Sequence, residues 1–254
     1  MHIDIETLLK ICHEAGAAIM EIYSGEIQVE TKQDQSPLTE ADRAAHDIIV
    51  RRLEEHFTGI PVLSEEGADI DFETRRSWQE FWLVDPLDGT KEFINRNGEF
   101  TVNIALVAGH RVRFGMVHVP AQQKTYWGEV GAGAWLQEKG APPRRIMVRP
   151  QAPGQGLTVV VSRSHPSPEL DAYLQTLNVA ETIAVGSSLK LCTLAEGRAD
   201  LYPRFGPTME WDIAAGQAVV EAAGGWVRTF AGSPLRYNKQ NLKNPYFLAA
   251  AASP

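Results

Sequence analysis

The sequence is poor in cysteine, in positive charge and in long apolar runs, and each shortage excludes a class of function. Cys12 and Cys192 are the only cysteines in 254 residues, and neither has a second Cys or a His at zinc-ligand spacing. They read as buried reduced thiols, neither bridged nor metal-bound. Lys and Arg number 24 against 32 Asp and Glu, a formal net charge of -8. That balance argues against a nucleic-acid binder, which needs clustered cations to displace counterions from phosphates. No apolar run approaches the roughly 20 residues that cross a bilayer, and Met1-His2-Ile3-Asp4 leads into an amphipathic pattern without the regions of an export signal. A cytoplasmic location is expected, with peripheral attachment at the inner membrane left open. Also missing are a Gly-x-Ser-x-Gly elbow, a Gly-x-x-x-x-Gly-Lys-Ser/Thr loop and a His-Glu-x-x-His helix, and the seven histidines are scattered. Serine-hydrolase, phosphate-loop and zinc-protease chemistries are thereby set aside.

What is present is a core-forming chain, 44% hydrophobic, sized between one large domain and two small ones. Ile5, Leu8, Leu9, Cys12, Ala15, Ile19 and Ile22 recur at helical spacing between Asp4, an N-cap, and Gly25, a stop. Thr39 with Asp42 forms a capping box that opens a second helix through Leu53 and Phe57. Pro61 to Leu63 and Phe81 to Val84 read as strands that empty into acidic residues. From Thr101 to Leu136, strand-length pieces separated by Gly- or Pro-bearing turns predict an antiparallel meander, with Gly131 and Gly133 as hairpin glycines. The stretch from Arg149 to Gly154 breaks the pattern and marks a boundary between subdomains 1–150 and 151–254. Beyond it strands at 157–161 and 182–185 alternate with helices at 168–177, 189–196 and 212–223.

Acidic residues gather where elements end. Leu83-Val84-Asp85-Pro86-Leu87-Asp88-Gly89-Thr90 places two carboxylates three apart across a Pro-stiffened turn after a buried strand. Taken alone, that pair reads as a turn residue and a helix cap. It is not alone: Glu65 ends another strand and Asp212 starts a helix. Carboxylates with a backbone carbonyl, here that of Leu87, suit magnesium, a hard cation that prefers oxygen. Gly89 and Thr90 open a helix whose free N–H groups favour a phosphate.

Ser64-Glu65-Glu66, Asp85-Pro86-Leu87-Asp88-Gly89-Thr90 and Trp211-Asp212-Ile213-Ala214-Ala215 resemble, in order over nearly the whole chain, the two metal-binding signatures of the inositol monophosphatase superfamily. Thr90-Lys91-Glu92-Phe93-Ile94, Ser162-Arg163-Ser164-His165 and Gly186-Ser187-Ser188-Leu189-Lys190 point within it to the bacterial 3'(2'),5'-bisphosphate nucleotidases. The resemblance implies an α+β fold, a layered αβαβα sandwich with an antiparallel sheet in the N-terminal half and a mixed sheet in the C-terminal half. It implies two or three Mg2+ ions: Glu65, Asp85 and the Leu87 carbonyl around one, Asp85, Asp88 and Asp212 around a second. Asp42 and Thr90, with Glu65, form the implied catalytic set, Asp42 and Thr90 orienting and deprotonating the attacking water. Leu87, Asp88, Gly89, Thr90, His165, Ser187, Ser188, Lys190 and Asp212 are the implied substrate contacts, with Lys190 on the phosphate that is not cleaved. Without the resemblance, Lys190 reads as a solvated helix residue, although a cation in a first helical turn opposes the macrodipole. The implied reaction is hydrolysis of adenosine 3',5'-bisphosphate to AMP and phosphate, clearing a by-product of sulfate assimilation, inhibited by lithium and needing no nucleic-acid or obligate protein partner. Two alternatives stand beside it: an inositol or other sugar or polyol phosphatase, and a non-catalytic nucleotide-binding protein of the same fold.

Overall fold

A computed structural model of the chain describes residues 3–25, 27, 29–31, 37–150, 154–164 and 167–251. The first helix, α1 (Ile5–Ser24), begins where the Asp4 side chain accepts from Thr7 N–H and ends where Gly25 N–H turns back to Ile22 O. A ribbon of β1 (Val29–Thr31) and β2 (Pro37–Thr39) leads into α2 (Glu40–His56). Then follow β3 (Val62–Ser64), a short turn of helix at Glu65–Gly67, α3 (Phe72–Arg75), β4 (Glu80–Asp88) and α4 (Thr90–Ile94). The meander comprises β5 (Thr101–Ala108), β6 (Arg111–Val119), β7 (Lys124–Glu129), β8 (Gly133–Glu138) and β9 (Arg144–Ile146). The rest of the chain alternates: β10 (Leu157–Ser162), α5 (Pro168–Leu174), β11 (Val179–Val185), α6 (Leu189–Ala195), β12 (Leu201–Arg204), α7 (Glu210–Ala222), β13 (Trp226–Thr229) and β14 (Phe247–Ala250).

The strands form a seven-stranded sheet in the order β3-β4-β5-β6-β7-β8-β9, antiparallel except for the β3/β4 pair, and a five-stranded mixed sheet in the order β11-β10-β12-β14-β13. Both sheets are covered on two faces, and the period of two sends alternate side chains to different cores. Trp82, Val84, Ile104 and Phe114 pack under α1 and α2, whereas Phe81, Leu83, Ala105 and Val117 pack against α6 and α7. In the second sheet Val160, Tyr202 and Ala249 join that same central core, and Val159, Leu201 and Ala250 face α5. The layers therefore run α1/α2, sheet, α6/α7, sheet, α5, an αβαβα sandwich. Residues 1–150 hold one sheet and 157–250 the other, but the middle helix layer is shared between them. Of the expected break from Arg149 to Gly154, residues 151–153 lie outside the described residues.

Gly115 and Gly128 are directly paired on β6 and β7, and a Cβ on Gly115 would lie 2.2 Å from Ala215 O, one on Gly128 2.6 Å from Ala222 Cβ. These two glycines let α7 rest on the sheet backbone, which sets the height of Asp212 at its start. Six elements were not visible in the sequence pattern: β2, α3, β9, β12, β13 and β14. Pro203 argues against a central strand, yet β12 is central. Its pairing with β10 is confined to Leu201, so beyond that point only the β14 side is bonded. β14 is alanine-rich and four residues long, and short strands of that kind carry no periodic signal. Among the described residues no helix is long and apolar enough to cross a membrane.

Candidate metal and phosphate site

Register explains why the acidic residues meet. Ser64 of β3 lies beside Val84 of parallel β4, so the next residues, Glu65 and Asp85, leave the sheet edge side by side. Between Asp85 and Asp88 the ladder with β5 is interrupted, and this irregularity re-aims the side chains as bulges do. Leu87 sits inside it, its N–H donating to Asp85 Oδ1 at 3.1 Å. Asp212 arrives from the opposite direction on α7, where it is the third helical residue and accepts from Met209 N–H at 2.9 Å. Each of Glu65, Asp85 and Asp212 offers one carboxylate oxygen within 4.8 Å of the others.

Convergence raises the proton affinity of Asp85 and of Asp212. Burial first, then the charges of Glu65, Asp88 and Asp212, push Asp85 well above the usual carboxylate range. Burial and the charges of Asp88 and Glu65 do the same to Asp212. A divalent cation reverses that logic by supplying the missing positive charge, and an all-oxygen donor set without His or Cys suits a hard ion such as Mg2+. Asn103 Oδ1, on the strand position opposite Asp85, and Thr101 Oγ1, opposite Asp88, are buried without a hydrogen-bond partner. The donors present thus fit a bound cation with its polar surroundings, at one cluster.

Asp88 lies outside that trio, although its charge acts on both Asp85 and Asp212. Its Oδ2 accepts from Ser188 N–H at 2.6 Å and Ser188 Oγ at 2.9 Å, so the trio of Asp85, Asp88 and Asp212 expected for a second ion is not drawn together as the first trio is. Ser188 Oγ also lies 2.6 Å from Asp212 O and takes a bond from Asn103 Nδ2. Its hydroxyl therefore ties three segments together, and Ser188 also lines the cavity beside the carboxylates. Gly89 caps α4 with a φ of 90°, the left-handed conformation that glycine adopts without strain. Asp42 is buried, and its Oδ2 accepts from Thr39 N–H at 2.8 Å and Thr39 Oγ1 at 2.6 Å, the capping box read from sequence. β2 packs beside α4, bringing Asp42 to the end of the fold where Thr90 opens its helix. His165 lies outside the described residues.

Beside the carboxylates is a cavity of about 240 Å3, with Asp88, Thr90, Glu92, Ser187, Lys190 and Arg204 in its wall. Lys190 is only 8% exposed, so it is not the solvated helix residue that the pattern also allowed. Burial lowers its pKa to about 8, with Arg204 acting in the same direction and Asp88, Glu92 and Asp212 against it. Those carboxylates also answer the macrodipole argument: the negative charge near the start of α6 comes from the protein itself. Arg204 went unnoticed in the sequence because the strand that carries it, β12, was not recognised. Its Nε is buried with no partner while Nη2 donates to Pro207 O at 3.1 Å. Glu92, also missed, is buried in the cavity wall and accepts from Ser164 Oγ at 2.5 Å.

Residues 4–251, almost the whole chain, match the inositol monophosphatase family. The chain belongs to the inositol monophosphatase family. Within it, the 3'(2'),5'-bisphosphate nucleotidase CysQ of Salmonella typhimurium is 48% identical over 246 residues, covering 96% of this chain and 98% of that protein. CysQ of Escherichia coli K12 is 47% identical over the same length. The crystal structure of CysQ from Bacteroides thetaiotaomicron superposes with a TM-score of 0.86 at 42% identity, covering 98% and 97% of the two chains. The IMPase of Thermotoga maritima reaches 0.81 at 25% identity, covering 97% and 91%. In this inositol monophosphatase family member, Asp212 belongs both to the acidic cluster and to the wall of the cavity that holds Lys190 and Arg204.

Proposed function

We propose that the protein is a magnesium-dependent 3'(2'),5'-bisphosphate nucleotidase that hydrolyses adenosine 3',5'-bisphosphate to AMP and phosphate. The observation that carries this reading is the pairing of one convergent carboxylate cluster with two buried cations, Lys190 and Arg204, in an adjoining cavity. A monophosphate needs the first alone. A substrate with a second phosphate has a use for both, because a buried guanidinium with an unfilled N–H is costly unless an anion arrives to accept it.

Glu65, Asp85 and Asp212 would hold Mg2+, with Leu87 O and Asp88 as further donors for a second or third ion. When bound, magnesium neutralises phosphoryl oxygens and lowers the pKa of water. The chain's own residues do the rest. Asp42 accepts a proton from Thr90, whose hydroxyl oxygen orients the incoming water and takes its proton; Glu65 completes the catalytic set. The water oxygen bonds to phosphorus as the bond to the ribose 3' oxygen breaks. Gly89 and Thr90 face the scissile phosphate, Ser187, Lys190 and Arg204 hold the other one, and His165 reaches the nucleotide. Ser188 keeps Asp88 and the start of α7 in register. In this reading residues 1–150 supply most metal donors, and 151–254 the nucleotide contacts and Asp212. Clearing a nucleotide by-product of sulfate assimilation places the protein in the cytoplasm, free or at the inner membrane face.

The test is phosphate release from adenosine 3',5'-bisphosphate and from inositol 1-phosphate, side by side, with magnesium, with chelator, and with magnesium plus lithium. Preference for the nucleotide, abolished by chelator and depressed by lithium, is the expected outcome. Preference for inositol phosphate would discard the substrate and keep the metal chemistry.

A further inference from the structure

The segment Gly186 to Lys190 delivers Ser187 and Lys190 to the cavity wall, and something must fix where it begins. Ser188 is held by Asp88, but the start of the segment is held by a residue outside the metal and cavity groups. Glu99 Oε2 accepts from Gly186 N–H at 2.7 Å. The same carboxylate makes a two-pronged pair with Arg163, Nε to Oε2 and Nη2 to Oε1, both at 2.8 Å. Arg163 is itself fastened to β11, Nη2 donating to Ala184 O at 2.6 Å and its N–H to Val185 O at 3.2 Å. Gly186 also lies against Glu92, whose Cγ a Cβ there would approach to 2.5 Å. Residue 187 then adopts a φ of 44°, a left-handed conformation that a non-glycine residue holds only where its neighbours enforce it.

We infer that Glu99 is a positioning residue for recognition of the second phosphate: from the N-terminal half it holds both Arg163 and Gly186 N–H of the C-terminal half and so sets where Ser187 and Lys190 face the substrate. This rests on the bisphosphate reading above. Glu99 belongs to neither the cavity wall nor the carboxylate cluster, so its removal acts on binding of the uncleaved phosphate and leaves phosphoryl transfer in place.

The experiment compares Glu99→Ala, Glu99→Gln and Arg163→Ala with the wild type, measuring kcat and KM on adenosine 3',5'-bisphosphate and on adenosine 3'-monophosphate, which has the same scissile group and no second phosphate. Glu99→Ala is expected to raise KM for the bisphosphate about tenfold with kcat within about twofold, and to leave kcat/KM for the monophosphate within about twofold. Glu99→Gln retains an oxygen for Gly186 N–H and should lose less than about threefold. Arg163→Ala should move in the same direction as Glu99→Ala, and it carries the test should the latter not fold. Equal losses on both substrates, or no loss on either, overturn the assignment while the functional reading stands. A wild-type enzyme that fails on the bisphosphate overturns the reading and this assignment with it.

Discussion

Lys190, Asp88 and Arg204 share one cavity, and their charges define what it accepts. Replacing Lys190 by Ala removes a cation that faces Asp88, Glu92 and Asp212 and that a second phosphate would engage. Activity on adenosine 3',5'-bisphosphate should fall about tenfold or more, roughly 1.4 kcal/mol, with a much smaller loss on a simple monophosphate. Asp85→Asn strikes the cluster itself, and magnesium-dependent phosphate release should drop about a hundredfold or more on both substrates in the same assay. Far from the site, His118 is buried beneath α1 with Nδ1 near Thr125 Oγ1 at 2.9 Å and its ring beside His13. Burial, followed by His13, lowers its pKa from 6.5 to about 3. In that interval the unfolded chain binds a proton that the folded chain refuses, so this contribution to stability is complete above the unfolded value and is lost as pH falls toward the folded one. Acidification from neutrality to about pH 5 should cost on the order of 1 to 2 kcal/mol at this residue. Urea midpoints for the wild type and His118→Gln at both pH values check it, the variant showing the flatter dependence.

Helices and strands were legible where their periodic signal was long and illegible where tertiary pairing made them. α1 and α2 announced themselves through apolar spacing and caps, β4 as a buried apolar run and β5 to β8 as strand-length pieces separated by turns, Gly131 and Gly133 both falling at positive φ. β12, β13 and β14 are each four residues and exist because neighbouring strands supply the ladder. Their invisibility hid Arg204 and Tyr202. The role of Gly115 and Gly128 was equally hidden, since nothing local in a strand glycine tells that a helix lies on it. Gly115→Ala forces Cβ against the backbone of α7 and should destabilise the protein by about 3 kcal/mol, on the order of 5 to 10 °C in Tm. Because α7 carries Asp212, activity should fall by more than the folded fraction does, which calorimetry and turnover measured on the same sample will separate.

Over the whole molecule the carboxylate cluster is a charge imbalance built at the meeting of two sheets and a shared helix layer. Magnesium at a hundred times its dissociation constant should add about 2.7 kcal/mol of stability, several degrees of Tm by thermal unfolding. Asp212→Asn should raise the Tm of the metal-free protein, by removing one of three mutually repelling groups, and shrink the magnesium shift. An unchanged shift would count against the cluster as the ion's seat. The sequence by itself determined where acids gather, because Asp42, Glu65, Asp85, Asp88 and Asp212 each sit at the end or beginning of a locally readable element, and through its motifs it pointed to the family and so to the layered α+β class. The tertiary structure alone decided which of those acids share a point: Glu65, Asp85 and Asp212 converge while Asp88 is held by Ser188. It also decided that Lys190 is buried beside Arg204. Local pattern sets where a chain turns, but distances between segments a hundred residues apart come from register, bulges and glycine contacts that no local window contains.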